Sequence, residues 1–271
     1  MAGLPEPAAG RAVPQARLAR SFGHVAVAYD DARPEYAPEA LTRAAAALRL
    51  DPGARIVDLA AGTGKLTRPL VERFGEVVAV EPAAEMRAVL EARTPGAVSR
   101  AGTAEHIPLP DDWADAVFVA DAFHWFDLPT ALREIARVLR PRGGLALLWN
   151  DWWTDGADGT SYVLDPPLPA AARELLDAVY VRSGRAASAR AAGDPLDAFA
   201  DSPFGPLRQE SFTRELRLSA DEVVALYATV SSVASLPDPE RAELERQLRP
   251  LLSGLYRLPL TTRLYWTRLG G

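Results

Sequence analysis

The stretch most specific for chemistry runs from Asp58 to Gly64, with the pattern D-x-A-x-G-x-G. A short apolar run ends at Asp58, and an apolar-periodic helix is predicted to begin after Gly64. The acid and the glycines therefore lie where a buried parallel strand turns into a helix. Ligands bind at this end of the strands in open α/β sheets. Gly62 and Gly64 lack a Cβ, so the backbone can turn sharply and lie close against a ligand.

Spacing separates the ligand classes that use such a loop. A phosphate-binding loop of the GxxxxGK[ST] type would need glycine at Leu59 and serine or threonine at Leu66, and it fails at both positions. A dinucleotide fingerprint would need a third glycine or an alanine at Thr67, where it fails less decisively. The pattern thus favours a ligand that is not held by its phosphates.

A second acid, Glu81, closes the next predicted strand 23 residues after Asp58, close to the ~20-residue spacing of a ribose-binding acid. The loop and Glu81 together resemble motif I of the class I S-adenosylmethionine-dependent methyltransferases, in which glycine is usual at the position of Ala60. This departure amounts to one methyl group. The resemblance implies S-adenosylmethionine as the cofactor, because its amino, sulfonium and ribose groups favour acidic and backbone acceptors.

Tyr29, Arg33 and Tyr36 are spaced as on one face of a helix. Pro34 breaks this helical run. The Y-x-x-x-R-P-x-Y segment resembles one that lies over the cofactor pocket in small-molecule methyltransferases. The resemblance assigns Tyr29 and Arg33 to a lid, with Arg33 a candidate partner for a carboxylate of the cofactor or substrate. An N-terminal helix that only packs, with Arg33 in a surface ion pair, remains equally open.

An aromatic stretch, Phe123-His-Trp-Phe126, follows the fourth predicted strand. There it would lie beside the loop after the first strand and could wall a methyl-transfer cavity, because aromatic faces attract cations. His124 is the candidate general base for a hydroxyl acceptor, whereas a carboxylate acceptor, with a reference pKa of about 4, needs no base. The alternatives are an aromatic core and a packing role for His124.

The resemblance extends to a wider set of residues. Those implied at the cofactor are Tyr29, Arg33, Asp58, Ala60, Gly62, Gly64, Glu81, Pro82, Met86, Thr103, Ala104, Glu105, Asp121 and Ala122. Those implied at the substrate are Phe123, Trp125, Trp149 and Trp152. The family often has aspartate at the position of Thr103, so the Ala104 backbone and Glu105 are favoured as the adenine contacts. His106 is expected to be a surface loop residue, and no metal site is predicted.

Short apolar strands alternate with helices over the first half of the chain. The strands are predicted at residues 56–59, 77–81, 97–100, 116–120 and 145–149, with later ones at 208–218 and 260–268. This order predicts an α/β protein with a doubly wound, mostly parallel seven-stranded sheet of the Rossmann-like methyltransferase type, an antiparallel last strand and a helical cap. The expected divisions are a disordered tail (1–20) and a single domain (21–271) comprising lid helices (21–50), cofactor-binding core (51–150), cap (151–257) and terminal edge strand (258–271).

Composition narrows the possible partners. The 271 residues are 48% apolar, include no cysteine and carry a formal net charge of −6. Disulfides, a thiolate nucleophile and a zinc–thiolate site are therefore excluded, and the acidic balance gives no support to a nucleic-acid partner. No secretory signal or membrane-spanning stretch is recognised. We expect a cytoplasmic monomer or homodimer that acts on a small molecule, with no membrane or nucleic-acid partner.

The RP-x-Y segment, motif I, the HWFD stretch and the terminal Tyr-Trp strand together resemble the trans-aconitate-type small-molecule methyltransferases. This resemblance implies methyl transfer from S-adenosylmethionine to a carboxylate or hydroxyl oxygen of a small molecule. Two alternatives remain. One is a cofactor-fold protein that catalyses a non-methyl reaction such as cyclisation, or that only binds a ligand. The other is an RNA or protein methyltransferase, which the acidic balance disfavours.

Overall fold

The computed structural model describes residues 25–151, 154–155, 162–163, 168–183 and 194–270. The tail predicted at residues 1–20 and Trp152 lie outside these ranges. The chain divides into two compact units, which we describe separately. The larger unit comprises residues 23–152, 194–216 and 259–271, and the smaller comprises 1–22, 153–193 and 217–258. The finer division into lid, core and cap stays a prediction.

The described strands, in chain order, are β1 Arg55–Leu59, β2 Glu76–Val80, β3 Val98–Arg100, β4 Ala114–Ala120, β5 Leu139–Asp151, β6 Thr154–Asp155, β7 Tyr162–Val163, β8 Arg208–Ser219 and β9 Leu255–Arg268. The described α-helices are α1 Ala26–Ala32, α2 Pro38–Ala47, α3 Thr67–Val71, α4 Ala84–Arg93, α5 Leu128–Val138, α6 Ala170–Arg182, α7 Ala220–Ala228, α8 Ser231–Ala234 and α9 Asp238–Leu248. Seven strands form one sheet in the order β3-β2-β1-β4-β5-β9-β8, and β6 pairs with β7.

The sheet buries both of its faces, as a doubly wound fold requires. Alternate residues of β1 enter different cores: Val57 packs in a cluster that includes Ile135 of α5, and Ile56 packs in one that includes Leu41 of α2. Strands β1, β2, β3, β4 and β5 are parallel. Their near-continuous apolar sequences follow from this two-sided burial. The predicted fold class is confirmed.

The last strand differs from the prediction in one respect. β9 pairs antiparallel with β5, from Gly144 opposite Arg268 to Asp151 opposite Thr261, so its predicted direction is confirmed. The terminal edge strand predicted at 258–271 is wrong, because β9 lies between β5 and β8, and β8 forms the edge. Period-two alternation reports that one face is buried, but it does not reveal whether both edges of a strand are paired.

Helices dominate the described part of the smaller unit. Ser219 begins α7 with a capping box, in which its side chain accepts from the Glu222 amide while the Glu222 carboxylate accepts from the Ser219 amide. This cap satisfies amides that a helix start leaves unpaired. Leu226 of α7 and Leu248 of α9 are buried. Among the described residues, no helix combines the length and apolarity needed to cross a membrane.

Candidate functional site

The loop between β1 and α3, residues 60–66 (the glycine loop), contains two glycines with different functions. Gly62 and Gly64 both have left-handed backbones, with φ of 57° and 86°. A Cβ on Gly62 would meet nothing within 4 Å, whereas one on Gly64 would lie 2.9 Å from Leu90 Cγ in α4. Gly64 is therefore needed for close packing of the loop on α4. Gly62 leaves an open face that a ligand can approach.

Ala60 adopts a left-handed backbone as well, with φ of 58°. The left-handed region is unfavourable by roughly 1–2 kcal/mol for an L-residue with a Cβ, but not for glycine. The expectation that alanine differs from the usual glycine by only one methyl group is therefore incomplete. The larger difference lies in the backbone conformation that the loop imposes.

Asp58 is a buried acid with one unpartnered oxygen. Only 1% of the residue is exposed, and its Oδ2 accepts a 2.6 Å hydrogen bond from Thr67 Oγ1. Its Oδ1 has no hydrogen-bond partner among the described residues. Burial raises the pKa of Asp58 to about 7; the Thr67 bond opposes this shift and the charge of Glu81 adds to it. An incoming donor or cation would satisfy the free oxygen.

Glu81 follows the end of β2 and ties the glycine loop to that strand. Its Oε2 accepts from the Gly62 amide at 3.0 Å, and its Oε1 accepts from the Ala83 amide at 2.9 Å. Burial raises the pKa of Glu81, although these two hydrogen bonds and Arg87 act in the opposite direction. Glu81 therefore holds the backbone at the open glycine while its carboxylate retains further acceptor capacity.

Asp121, directly after β4, is a third buried carboxylate. Tyr36 Oη donates to its Oδ2 at 2.8 Å, and the backbone N–H of Asn150 donates to its Oδ1 at 3.3 Å. Burial raises the pKa of Asp121 to about 6, against the effects of the Tyr36 hydrogen bond and the Arg33 charge. Because β2, β1 and β4 are parallel neighbours, these residues place three carboxylates at the same end of three adjacent strands.

The N-terminal segment is anchored by residues that the sequence analysis did not single out. Asn150, buried at the end of β5, donates its Nδ2 to the carbonyl oxygens of Pro34 and Glu35, each at 3.2 Å. Its Oδ1 accepts from Thr262 Oγ1. Asp30 of α1 accepts from Thr63 in the glycine loop. A polar residue directly after the apolar run of β5 was a usable signal for Asn150, whereas Asp30 had none beyond its position next to Tyr29.

Tyr29 and Arg33, the residues assigned to the lid, contact each other. The Arg33 guanidinium lies 5.0 Å from the centroid of the Tyr29 ring, within the range of a cation–π interaction. Arg33 also lies close enough to Asp121 to lower the pKa of that carboxyl. The structure thus brings the predicted lid pair near one of the three carboxylates, and its contact with a ligand stays a prediction.

The aromatic stretch separates into two parts. Phe123 is 1% exposed and stacks on Phe199 with centroids 5.6 Å apart; its edge contact with Trp149 is at 6.3 Å. This placement matches the aromatic-core alternative for Phe123. His124 and Trp125 are partly exposed, with ring centroids 4.7 Å apart. Phe126 is partly exposed as well, so these three residues, unlike Phe123, can present ring atoms to a substrate without rearrangement of the core.

Comparisons with known proteins establish which family the chain belongs to. The methyltransferase domain family matches residues 57–147. An uncharacterized methyltransferase-like protein of Schizosaccharomyces pombe is 31% identical over 237 residues, which cover 87% of this chain and 87% of that protein. The chain belongs to the methyltransferase family.

Other relatives match a smaller part of this chain. An uncharacterized methyltransferase of Mycobacterium tuberculosis is 52% identical over 134 residues, 49% of this chain and 53% of that protein, so the match spans about half of its length. The malonyl-[acyl-carrier protein] O-methyltransferase of Methylococcus capsulatus is 38% identical over 133 residues, 46% of this chain and 48% of that protein. A solved structure from Anaeromyxobacter dehalogenans, provisionally assigned as a type II methyltransferase, has a TM-score of 0.55 at 24% identity, covering 88% of this chain and 97% of that one.

The other predicted cofactor residues of this chain lie after β2, β3 and β4. Met86, Ala104 and Ala122 are buried, whereas Pro82 and Thr103 are exposed. Glu105 accepts a hydrogen bond from the Asp127 amide, so its carboxylate already has a partner within the fold. His106 is exposed, as expected. The contacts of these residues with a cofactor stay predictions.

Proposed function

We propose that this methyltransferase binds S-adenosylmethionine at the glycine loop and transfers its methyl group to a carboxylate or hydroxyl oxygen of a small molecule. The observation that carries the proposal is the open face at Gly62, next to the Glu81 carboxylate that accepts its amide. Asp58, with its unpartnered oxygen, lies close enough to Glu81 for the two charges to interact.

The residues present fit this cofactor. Its sulfonium and amino groups are cationic, and Asp58, Glu81 and Asp121 supply buried negative charge that would otherwise be costly to keep ionised. Glu81 would accept from the ribose hydroxyls, since an acid at the end of the second strand has this role in related nucleotide sites. The missing Cβ at Gly62 lets the ligand approach the backbone.

The bound cofactor would supply an electrophilic methyl carbon, and the chain supplies position. Methyl transfer is a displacement whose catalysis comes mainly from holding the acceptor in line and excluding water. For a carboxylate acceptor, Arg33 offers a guanidinium that can hold the acid. For a hydroxyl acceptor, His124 is the residue proposed to take the proton. The Methylococcus relative, named for O-methyl transfer, supports an oxygen acceptor.

Isothermal titration tests cofactor binding. Wild type is expected to bind S-adenosylmethionine, and Gly62→Ala is expected to weaken binding by tenfold or more because its Cβ enters the open face. Gly254→Ala is the matched control, since Gly254 also has a left-handed backbone (φ 78°) and open space at its Cβ position. Both variants bear similar backbone strain, but only the first should lose affinity. Absence of binding by the wild type would refute the proposal.

The acceptor is tested with labelled cofactor and a panel of small acids and hydroxyl compounds. S-adenosylhomocysteine and a methylated product are expected together, and their masses identify the methylated position. His124→Ala should abolish turnover of a hydroxyl substrate but leave much of the turnover of an acid. Equal losses with the two substrate types would overturn the assignment of His124. Consumption of cofactor without methylated product would indicate a non-methyl reaction instead.

A further inference from the structure

Asp30 of α1 holds the glycine loop through a buried contact. The residue is 4% exposed, and its Oδ1 accepts a 2.6 Å hydrogen bond from Thr63 Oγ1. Thr63 stands between Gly62 and Gly64 and is itself 1% exposed. A helix outside the glycine loop thus fixes the residue between its two left-handed glycines.

Arginine side chains complete this cluster. Arg68 of α3 donates from Nη2 to Asp30 Oδ1 and from Nη1 to the Thr63 carbonyl oxygen, at 3.1 Å and 3.4 Å. Arg93 of α4 donates to Asp30 Oδ2. Asp30 therefore links α1, the glycine loop, α3 and α4, and Thr63 is held through both its side chain and its backbone.

The surroundings favour the charged form of Asp30 despite its burial. Burial alone would raise the pKa of this carboxyl, but hydrogen bonds from Thr63 and Arg68 and the charge of Arg68 outweigh that effect and leave it lowered. Charge-assisted hydrogen bonds are the stronger class. A neutral side chain of the same shape would therefore hold Thr63 less firmly.

We propose that Asp30 is a positioning residue for the cofactor: by fixing Thr63 it sets the left-handed backbone at Gly62 and Gly64 before the ligand arrives. This inference rests on the proposed function. Preorganisation of this kind increases affinity because the loop loses less conformational freedom on binding. Asp30 contributes to binding through Thr63 and has no assigned contact with the ligand.

Asp31, the next residue on α1, provides a matched control. Its side chain is 60% exposed, and it pairs with Arg93 at the surface. Asp31→Asn removes one acidic charge from the same helix without touching Thr63. Asp30→Asn is expected to raise the Kd for S-adenosylmethionine about tenfold, which corresponds to 1.4 kcal/mol, whereas Asp31→Asn should change it less than about twofold.

Thr63 variants distinguish positioning from general destabilisation. Thr63→Val keeps the shape but removes the donor, so it should raise Kd about as much as Asp30→Asn. The two changes together should be clearly less than additive, because both break one contact. Thr63→Ser should recover most of the affinity lost in Thr63→Val. Additive effects, or no recovery with serine, would overturn the inference. If Asp30→Asn fails to fold, the comparison of Thr63→Val with Thr63→Ser still tests it.

Kinetics and amide exchange give independent readouts. The KM for the cofactor should rise in Asp30→Asn with little change in kcat, as expected when ground-state and transition-state binding weaken equally. Hydrogen exchange at residues 60–66 should accelerate in Asp30→Asn and not in Asp31→Asn. Cofactor binding by wild type with unchanged affinity in Asp30→Asn would refute the positioning role alone. If wild type does not bind the cofactor, the proposed function fails, and unchanged exchange would separately refute the contact's effect on the loop.

Discussion

The substitution Asp58→Asn tests two effects of this carboxyl separately. One is how much its burial lowers the stability of the fold, and the other is how much it contributes to ligand binding. The side chain is buried, and Thr67 donates to one of its oxygens. Asparagine can still accept that hydrogen bond through its carbonyl oxygen, and it carries no charge at any pH. We therefore expect the difference in unfolding free energy between the two proteins to shift in favour of the variant as pH rises. The affinity of the variant for S-adenosylmethionine should fall at least tenfold.

The magnitude follows from the pKa of Asp58, which burial raises from 3.8 to about 7. Since the folded-state pKa lies above the unfolded one, this carboxyl stabilises the fold at low pH, and that stability is lost as pH rises through both values. At about 1.4 kcal/mol per pKa unit the full effect is about 4 kcal/mol, of which about 2–3 kcal/mol is lost between pH 5 and pH 8. The unpaired amide of asparagine costs about 1–3 kcal/mol at either pH.

Urea unfolding of wild type and Asp58→Asn at pH 5 and pH 8 measures this effect. All other titratable groups are shared, so the change in the difference between the two proteins reports Asp58 together with its charge interaction with Glu81. We expect the variant to gain about 2–3 kcal/mol relative to wild type between the two pH values. Asp51→Asn, at an exposed acid, serves as a control whose stability should stay within about 0.5 kcal/mol of wild type. A pH-independent difference for Asp58→Asn would refute the reasoning.

Three further substitutions test the loop and the acid after β4, each by chemical unfolding. Ala60→Gly should stabilise the protein by about 0.5 kcal/mol, as relief of left-handed strain exceeds the entropy of glycine; a loss of stability would contradict this. Gly64→Ala should cost about 2–3 kcal/mol, because its Cβ would lie 2.9 Å from Leu90; a cost below 1 kcal/mol would show that α4 can yield. Tyr36→Phe removes the donor to Asp121, so the pKa of that carboxyl should rise above 6, and the loss should cost about 1–3 kcal/mol of stability at pH 8. This cost should shrink as pH falls below 6, because the protonated carboxyl needs the donor less. A cost that does not change with pH would contradict this role of Tyr36.

The sheet could be predicted because its signals are local. The apolar runs that became β1, β2 and β4 are buried on both faces, and such runs carry their own indication of parallel pairing. The position of β9 could not be predicted in the same way. Whether β9 lies at an edge depends on where β8 pairs, and the sequence of β9 does not indicate that.

The site divides along the same line. The closeness of Glu81 to the glycine loop follows from strand order, because parallel neighbours end on one side of the sheet, and the hydrogen bond from the Gly62 amide bears this out. Asp30 and Asn150 were missed because their importance comes from partners distant in sequence, Thr63 and Thr262. The sequence around Asp30 does not distinguish a buried, paired acid from an exposed one, whereas Asn150 could have been found from its position directly after the apolar run of β5.

Three buried carboxylates at adjacent strand ends agree with a sequence pattern that favours a ligand not held by its phosphates. Burial raises the pKa of Asp58, Glu81 and Asp121, so each resists ionisation where it stands. An anionic phosphate would increase that cost, whereas a cation would offset it by pairing with charge that the fold has already desolvated. The same acids that lower the stability of the ligand-free protein therefore favour a positively charged ligand. This agrees with the sequence, in which Leu59 and Leu66 stand where a phosphate-binding loop needs glycine and serine or threonine.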